Sequence, residues 1–137
     1  MARGRVLVAG EARALALRLQ EPLSFWGGLD PATGRIVDRH HPQLGATITG
    51  RALVMTRTRG STASAGTLAE ALRRGTGPAA VILGEADVAV VMGVLAAAEL
   101  YGRTVPVVVL AGKDLPGLRD GREVEIARDG EVRARAG

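Results

Sequence analysis

Near the middle of the chain, Arg57-Thr58-Arg59-Gly60-Ser61-Thr62-Ala63-Ser64-Ala65-Gly66 concentrates the groups best suited to chemistry. The stretch falls between a predicted strand ending at Thr56 and a predicted helix over 64–74. A helix start exposes unpaired N–H groups and a partial positive charge. Glycine lets a ligand approach the backbone, serine and threonine hydroxyls add donors, and Arg57 and Arg59 add fixed positive charge. That combination suits a carboxylate, a phosphate or a developing oxyanion. The same residues also fit a plain structural role. Ser61, Thr62 or Ser64 can cap the helix, and Thr67 with Glu70 has capping-box spacing. A nucleoside-triphosphate P-loop is excluded, because five residues rather than four separate Gly60 from Gly66 and no lysine follows.

Other candidates carry weaker signals. His40 and His41 are adjacent, so in a strand they point to opposite faces and cannot chelate a metal together. His-His-Pro reads as a solvated turn. Phe25-Trp26-Gly27-Gly28 sets the single Trp beside two glycines, either as a core anchor covering a loop or as one wall of a pocket. No G-x-S-x-G nucleophile elbow is present.

The elements that must position these groups follow from pattern. Gly4–Leu19 reads as one or two strands broken near Gly10, Pro22–Gly34 as a loop, Arg35–Asp38 as a short strand, and Ala46–Thr56 as a longer one. Leu68, Ala71 and Leu72 share one face of the helix over 64–74, which Gly75 and Gly77-Pro78 stop. Ala79–Leu83 is a buried-type strand. Asp87 is a predicted N-cap for a helix to Leu100, ended by Gly102. Val105–Leu110 is a further strand, with Pro106 placing it near an edge or a strand start. Asp129-Gly130 between the alternating runs of 123–135 predicts a hairpin. Two strands flanking the Asp87 helix form a crossover unit, so the expectation is one mixed α/β domain over 1–137.

Composition narrows the function classes. The 137 residues, 47% apolar and 23% charged, suit a single globular domain with a real core. Cysteine is absent, which excludes disulfides, thiolate nucleophiles and a self-ligated iron–sulfur cluster. The net charge is +4 with a pI near 10.9, yet Lys113 is the only lysine and the rest of the basic residues are arginine. The high pI therefore reflects arginine preference. Acidic residues are interspersed throughout and the aromatics are only Phe25, Trp26 and Tyr101, which argues against a nucleic-acid surface. No targeting segment is evident, and the longest apolar run, Val88–Ala98, is too short to span a membrane. A cytoplasmic location with no membrane association is the expectation.

Several motifs recur together in one family. They are Pro22-Leu23-Ser24-Phe25-Trp26-Gly27-Gly28, Asp30-Pro31 through Gly34-Arg35-Ile36, His41-Pro42-Gln43-Leu44-Gly45, and Arg59-Gly60-Ser61-Thr62 followed by Glu70-Ala71. Gly77-Pro78-Ala79-Ala80 and Ala97-Ala98-Glu99-Leu100-Tyr101-Gly102-Arg103 complete the set. Over about residues 4–112 the chain resembles the small, swivel-domain subunit of aconitase X. The resemblance implies a swivelling β/β/α domain like the mobile domain of aconitases. It also implies a two-subunit hydro-lyase, inactive without a larger, cysteine-containing subunit that holds the iron–sulfur cluster, so that this chain itself binds no metal. By position after Arg59-Gly60, Ser61 corresponds to the base that removes a substrate proton. Thr62 stands where a second serine is frequent, which leaves Ser64 open beside Ser61. Arg59, Gly60, Thr62, Ser64, Trp26 and Gly27 are the expected substrate-binding residues. The family's substrates are cis-3-hydroxy-L-proline, to which the loop is more similar, and 5-phosphomevalonate. The alternative of another class is a non-catalytic module binding an anion or RNA through the same loop.

Overall fold

The computed structural model describes residues 2–59 and 62–135. The strands are β1 (Ala2–Arg3), β2 (Arg5–Val8), β3 (Ala12–Arg18), β4 (Leu29–Asp30), β5 (Arg35–Ile36), β6 (Ala52–Met55), β7 (Ala80–Leu83), β8 (Val107–Val109), β9 (Glu123–Ile126) and β10 (Glu131–Ala134). Two full helices, α2 (Ala63–Arg74) and α3 (Val88–Tyr101), follow a single turn, α1 (Phe25–Gly28). That turn is broken inside by extended Trp26 and by Gly27 at φ 78°.

β4 and β5 form a small hairpin of their own, and the remaining strands form one sheet in the order β1-β10-β9-β3-β6-β7-β8-β2. β3, β6, β7 and β8 run parallel. Their antiparallel neighbours are β9 beside β3 and β2 beside β8. Residues 2–8 pair with β10 through β1 and with β8 through β2, bending at Gly4, whose N–H donates to Gly130 O at 2.8 Å. One stretch of chain thus joins both edges, and the sheet nearly closes into a barrel.

Alternation along the parallel strands creates two cores. Ala52, Val54, Ala80, Ile82 and Val108 point into the barrel, where they meet Val124, Ile126 and Val132 of the far wall. Leu53, Met55, Val81, Leu83 and Val107 point outward beneath α2 and α3. Strands buried on both faces must be apolar at every position, and β6, β7 and β8 are. The layering is far wall, near wall, helices: a mixed α/β fold of β/β/α type.

The helices sit as their sequences require. α2 buries Leu68, Ala71 and Leu72 and ends at Gly75, which adopts φ 79°. Asp87 caps α3 by accepting from Val90 N–H, and Gly102 closes it at φ 66°. Some sequence expectations change and others hold. The strand expected over Ala46–Thr56 shortens to β6, because residues 46–50 instead bond back to the β4–β5 hairpin and to Gly77. The loop expected over Pro22–Gly34 contains α1 and β4. Of the two places open to Pro106, the strand start holds: β8 is paired on both sides, and Pro106 precedes its first residue while its carbonyl accepts from Val81 N–H. The 123–135 hairpin forms as expected, and it builds the far wall of the barrel.

Among the described residues no helix is long and apolar enough to cross a membrane.

Candidate functional site

Parallel strands deliver their following loops to one end of a sheet, the usual place for a site in α/β folds. Here three segments meet there: residues 19–24 after β3, 56–59 after β6 and 84–87 after β7. Leu23 pairs with Thr58 in a parallel bridge, and Arg59 N–H donates to Leu23 O at 3.0 Å. The segment leading into the Arg-Gly-Ser loop is therefore laid down like an extra piece of strand.

Asp87 fixes that segment from the other side. Its Oδ2 accepts from Thr58 N–H at 2.8 Å and from Thr58 Oγ1 at 2.6 Å, while Oδ1 accepts from Val90 N–H at 3.3 Å. Partial burial works against ionisation of this carboxyl, and the bonds from the Thr58 hydroxyl, Thr58 N–H, Val90 N–H and Ala89 N–H outweigh it, so the pKa falls below the usual carboxylate range. One side chain thus ties the start of α3 to the approach of the loop. The sequence identifies Asp87 as a cap, but nothing in it announces the bond to Thr58, which comes from a distant strand end.

Gly60 and Ser61 lie outside the described residues. Thr62 is the exposed residue before α2, and among the described residues its side chain makes no capping bond. Ser64 is fully buried and its Oγ accepts from Trp26 N–H at 3.3 Å. Ser24 Oγ donates to Trp26 O at 2.8 Å, so Trp26 is held at both ends of its backbone. The Thr67–Glu70 capping box does not form. Thr67 lies inside α2, and Glu70 instead accepts from Arg73 and Arg74, which lowers its pKa to about 2.

The core-anchor reading of Trp26 fails. Its side chain is 65% exposed, and Phe25 takes the buried place beside it. Gly27 follows in the left-handed region, which turns the chain sharply and leaves Trp26 displayed beside the start of α2. Arg57 lies 3.5 Å from Glu85, and Arg59 lies 3.5 Å from Glu21; both pairs are solvent-exposed. Exposed pairs of this length constrain their arginines weakly, so either guanidinium can turn to an incoming anion.

His40 and His41 separate as expected, but only His40 is solvated. His41 is 5% exposed: Gln43 N–H donates to its Nδ1, which leaves Nε2 to donate to Glu21 O at 3.0 Å. The ring is a brace for the loop after β3. A cleft of about 420 Å³ opens at the ends of β3 and β6, lined among others by Arg18, Gln20, Thr56, Arg119 and Asp120. Among the described residues neither the Arg18 nor the Arg119 guanidinium has a partner. Sequence reading missed both, since arginine is common throughout the chain and only the topology brings residues 18 and 119 together. With no cysteine in the sequence, and no trio of His, Asp or Glu among the described residues placed to hold a metal, this chain does not fit an iron–sulfur cluster.

The family profile for the aconitase X swivel domain matches residues 1–134. The chain belongs to the aconitase X swivel-domain family. The match runs through the C-terminal hairpin, beyond the span of the sequence motifs. A cis-3-hydroxy-L-proline dehydratase of Pseudomonas aeruginosa is 39% identical over 132 residues, covering 91% of this chain and 23% of that protein. The chain therefore spans under a quarter of that relative's length. A phosphomevalonate dehydratase small subunit of Methanothermobacter thermautotrophicus is 37% identical over 94% of this chain and 95% of its own. A crystal structure of Thermococcus kodakaraensis aconitase X in its holo-form superposes with a TM-score of 0.88 at 31% identity, over 98% of both chains.

Proposed function

We propose that this chain is the small subunit of a two-chain aconitase X-type hydro-lyase in the cytoplasm, dehydrating a small hydroxy acid with Ser61 as the base. The observation that carries this reading is the contrast in coverage: the match takes in 95% of a named small subunit but only 23% of a longer dehydratase. The remainder of the active site then belongs to a larger, cysteine-containing subunit. The iron–sulfur cluster implied by the family resides there, and its chemistry is that subunit's to supply.

This chain contributes a proton acceptor and its surroundings. A serine hydroxyl is a poor base in water and needs its alkoxide stabilised. Arg59, the N–H groups at the start of α2 and the helix dipole offer that stabilisation. Gly60 and Thr62 flank the base, and Trp26 with Gly27 borders the substrate. Ser64 supports this arrangement as a tether: a fully buried oxygen already accepting from Trp26 N–H is poorly placed to take a substrate proton.

The substrate we favour is cis-3-hydroxy-L-proline, on the similarity of the Thr58–Ser64 loop and the 39% identity to the Pseudomonas dehydratase. Phosphomevalonate is the second reading, favoured by the match over 95% of the archaeal small subunit and by Arg18 and Arg119 at the same end of the sheet, whose guanidinium groups have no partner among the described residues and suit a phosphate. The test is co-expression with the larger subunit and turnover of both compounds. Native chain should dehydrate one of them, Ser61→Ala should assemble normally with turnover down at least a thousandfold, and Ser64→Ala should retain activity within tenfold. Full activity of Ser61→Ala would refute the assignment, and RNA binding without any turnover would favour the non-catalytic module.

A further inference from the structure

The helical layer is chemically lopsided. Both helices cover the same sheet, yet their solvent sides differ. α2 presents Thr62, Ala63, Gly66, Arg73 and Arg74 outward, a polar and small-residue surface. α3 has one charged residue in fourteen, Glu99. Its buried side is Ala89, Val90, Gly93, Val94 and Ala97. Its opposite side, at positions i, i+4 and i+7, is Val88, Met92 and Leu95, which are 69%, 48% and 51% exposed. A helix apolar on all sides is normally covered on all sides.

We infer that the outward stripe of α3, Val88-Met92-Leu95, is part of the seam on which the larger subunit seats. The inference rests on the two-chain reading above and extends it to a surface. Two observations choose the occupant. Asp87 bonds Thr58 at 2.8 Å, so Val88 begins the stripe directly beside the approach to the Arg-Gly-Ser loop. A subunit that completes chemistry at that loop reaches Val88 first and the rest of the stripe next. More than three quarters of the Pseudomonas dehydratase lies outside the part this chain matches. A separate subunit of comparable extent needs a broad surface to seat on, and the exposed apolar side of α3 offers one.

The test uses the full chain co-expressed with the larger subunit. Met92→Glu and Leu95→Glu change exposed positions, so each free variant should melt within a few degrees of native. Each should bind the larger subunit at least tenfold more weakly, while Ser61→Ala binds as native. As an independent readout, the methyl signal of Met92 should be broadened by a soluble paramagnetic agent in the free chain and shielded in the assembly. Unchanged association of both variants, or an unshielded Met92, overturns the surface alone. A native chain that never associates with the larger subunit overturns the two-chain reading, and this surface with it. A native homodimer split by Met92→Glu would assign the stripe to a second copy instead.

Discussion

Asp87 holds Thr58 N–H, Thr58 Oγ1 and Val90 N–H with two oxygens, so its charge serves a strand end and a helix start together. Charge-assisted bonds of this kind outlast neutral ones, and losing the acceptor leaves partly buried donors unmet. Asp87→Ala should lower the stability of the free chain by about 1–3 kcal/mol, measured by denaturant unfolding. The folded-state pKa is depressed, so the contribution is complete above the unfolded value near pH 4 and is lost as pH falls through the folded one. Asp87→Asn should therefore flatten the acid limb of the stability–pH curve below about pH 4. An unchanged acid limb would show that Asp87 does not set it. Glu70, lowered to about 2 by Arg73 and Arg74, is partly exposed between them and belongs to the background.

At the level of helices and strands, α2 and α3 come close together at Gly93. A Cβ there would come within 2.8 Å of Ala65 O and 3.1 Å of Leu68 Cβ. Gly93→Ala must push the helices apart and should cost about 1–3 kcal/mol. Gly66 is the opposite case: a Cβ there meets nothing within 4 Å. Gly66→Ala should raise stability by about 0.5–1 kcal/mol, because a mid-helix glycine wastes backbone entropy. Thermal melts of the two variants should move in opposite directions. Both helices were legible in the sequence because caps and periodicity are local: Asp87, Gly75 and Gly102 all act within a turn of where they stand. The reading faltered where partners are distant. Residues 46–50 are strand-like but spend their hydrogen bonds on the β4–β5 hairpin and on Gly77, and of the two roles open to Trp26, core anchor or pocket wall, the first is lost because Phe25 occupies the core. The candidate loop was found from its glycine, hydroxyls and arginines. The supports around it, His41 under residue 21 and Asp87 beside residue 58, depend on loops far apart in the chain.

Across the whole molecule, one sheet separates two apolar interiors and contributes side chains to both. Val54 and Ile82 face the barrel while their neighbours Leu53 and Leu83 face the helices, so strands and helices share the same four-residue runs. The far wall comes from the C-terminal hairpin, whose Val124, Ile126 and Val132 fill the barrel interior. That explains why a motif-based resemblance ends near residue 112 while the family match continues to residue 134. The hairpin's constraint is alternation and a turn glycine, which many sequences satisfy without sharing words.

The pairing of β1 with β10 sets Ala2 opposite Val132. Both ends of the described chain therefore emerge at one corner, a few residues' reach apart. A short flexible linker can join them, and the ring can be reopened in the exposed connection at 102–104 after α3 without cutting a paired strand. Such a circular permutant should refold cooperatively with its melting point reduced by no more than about 10 °C, and a permutant that stays unfolded would show that the order of synthesis matters to this topology.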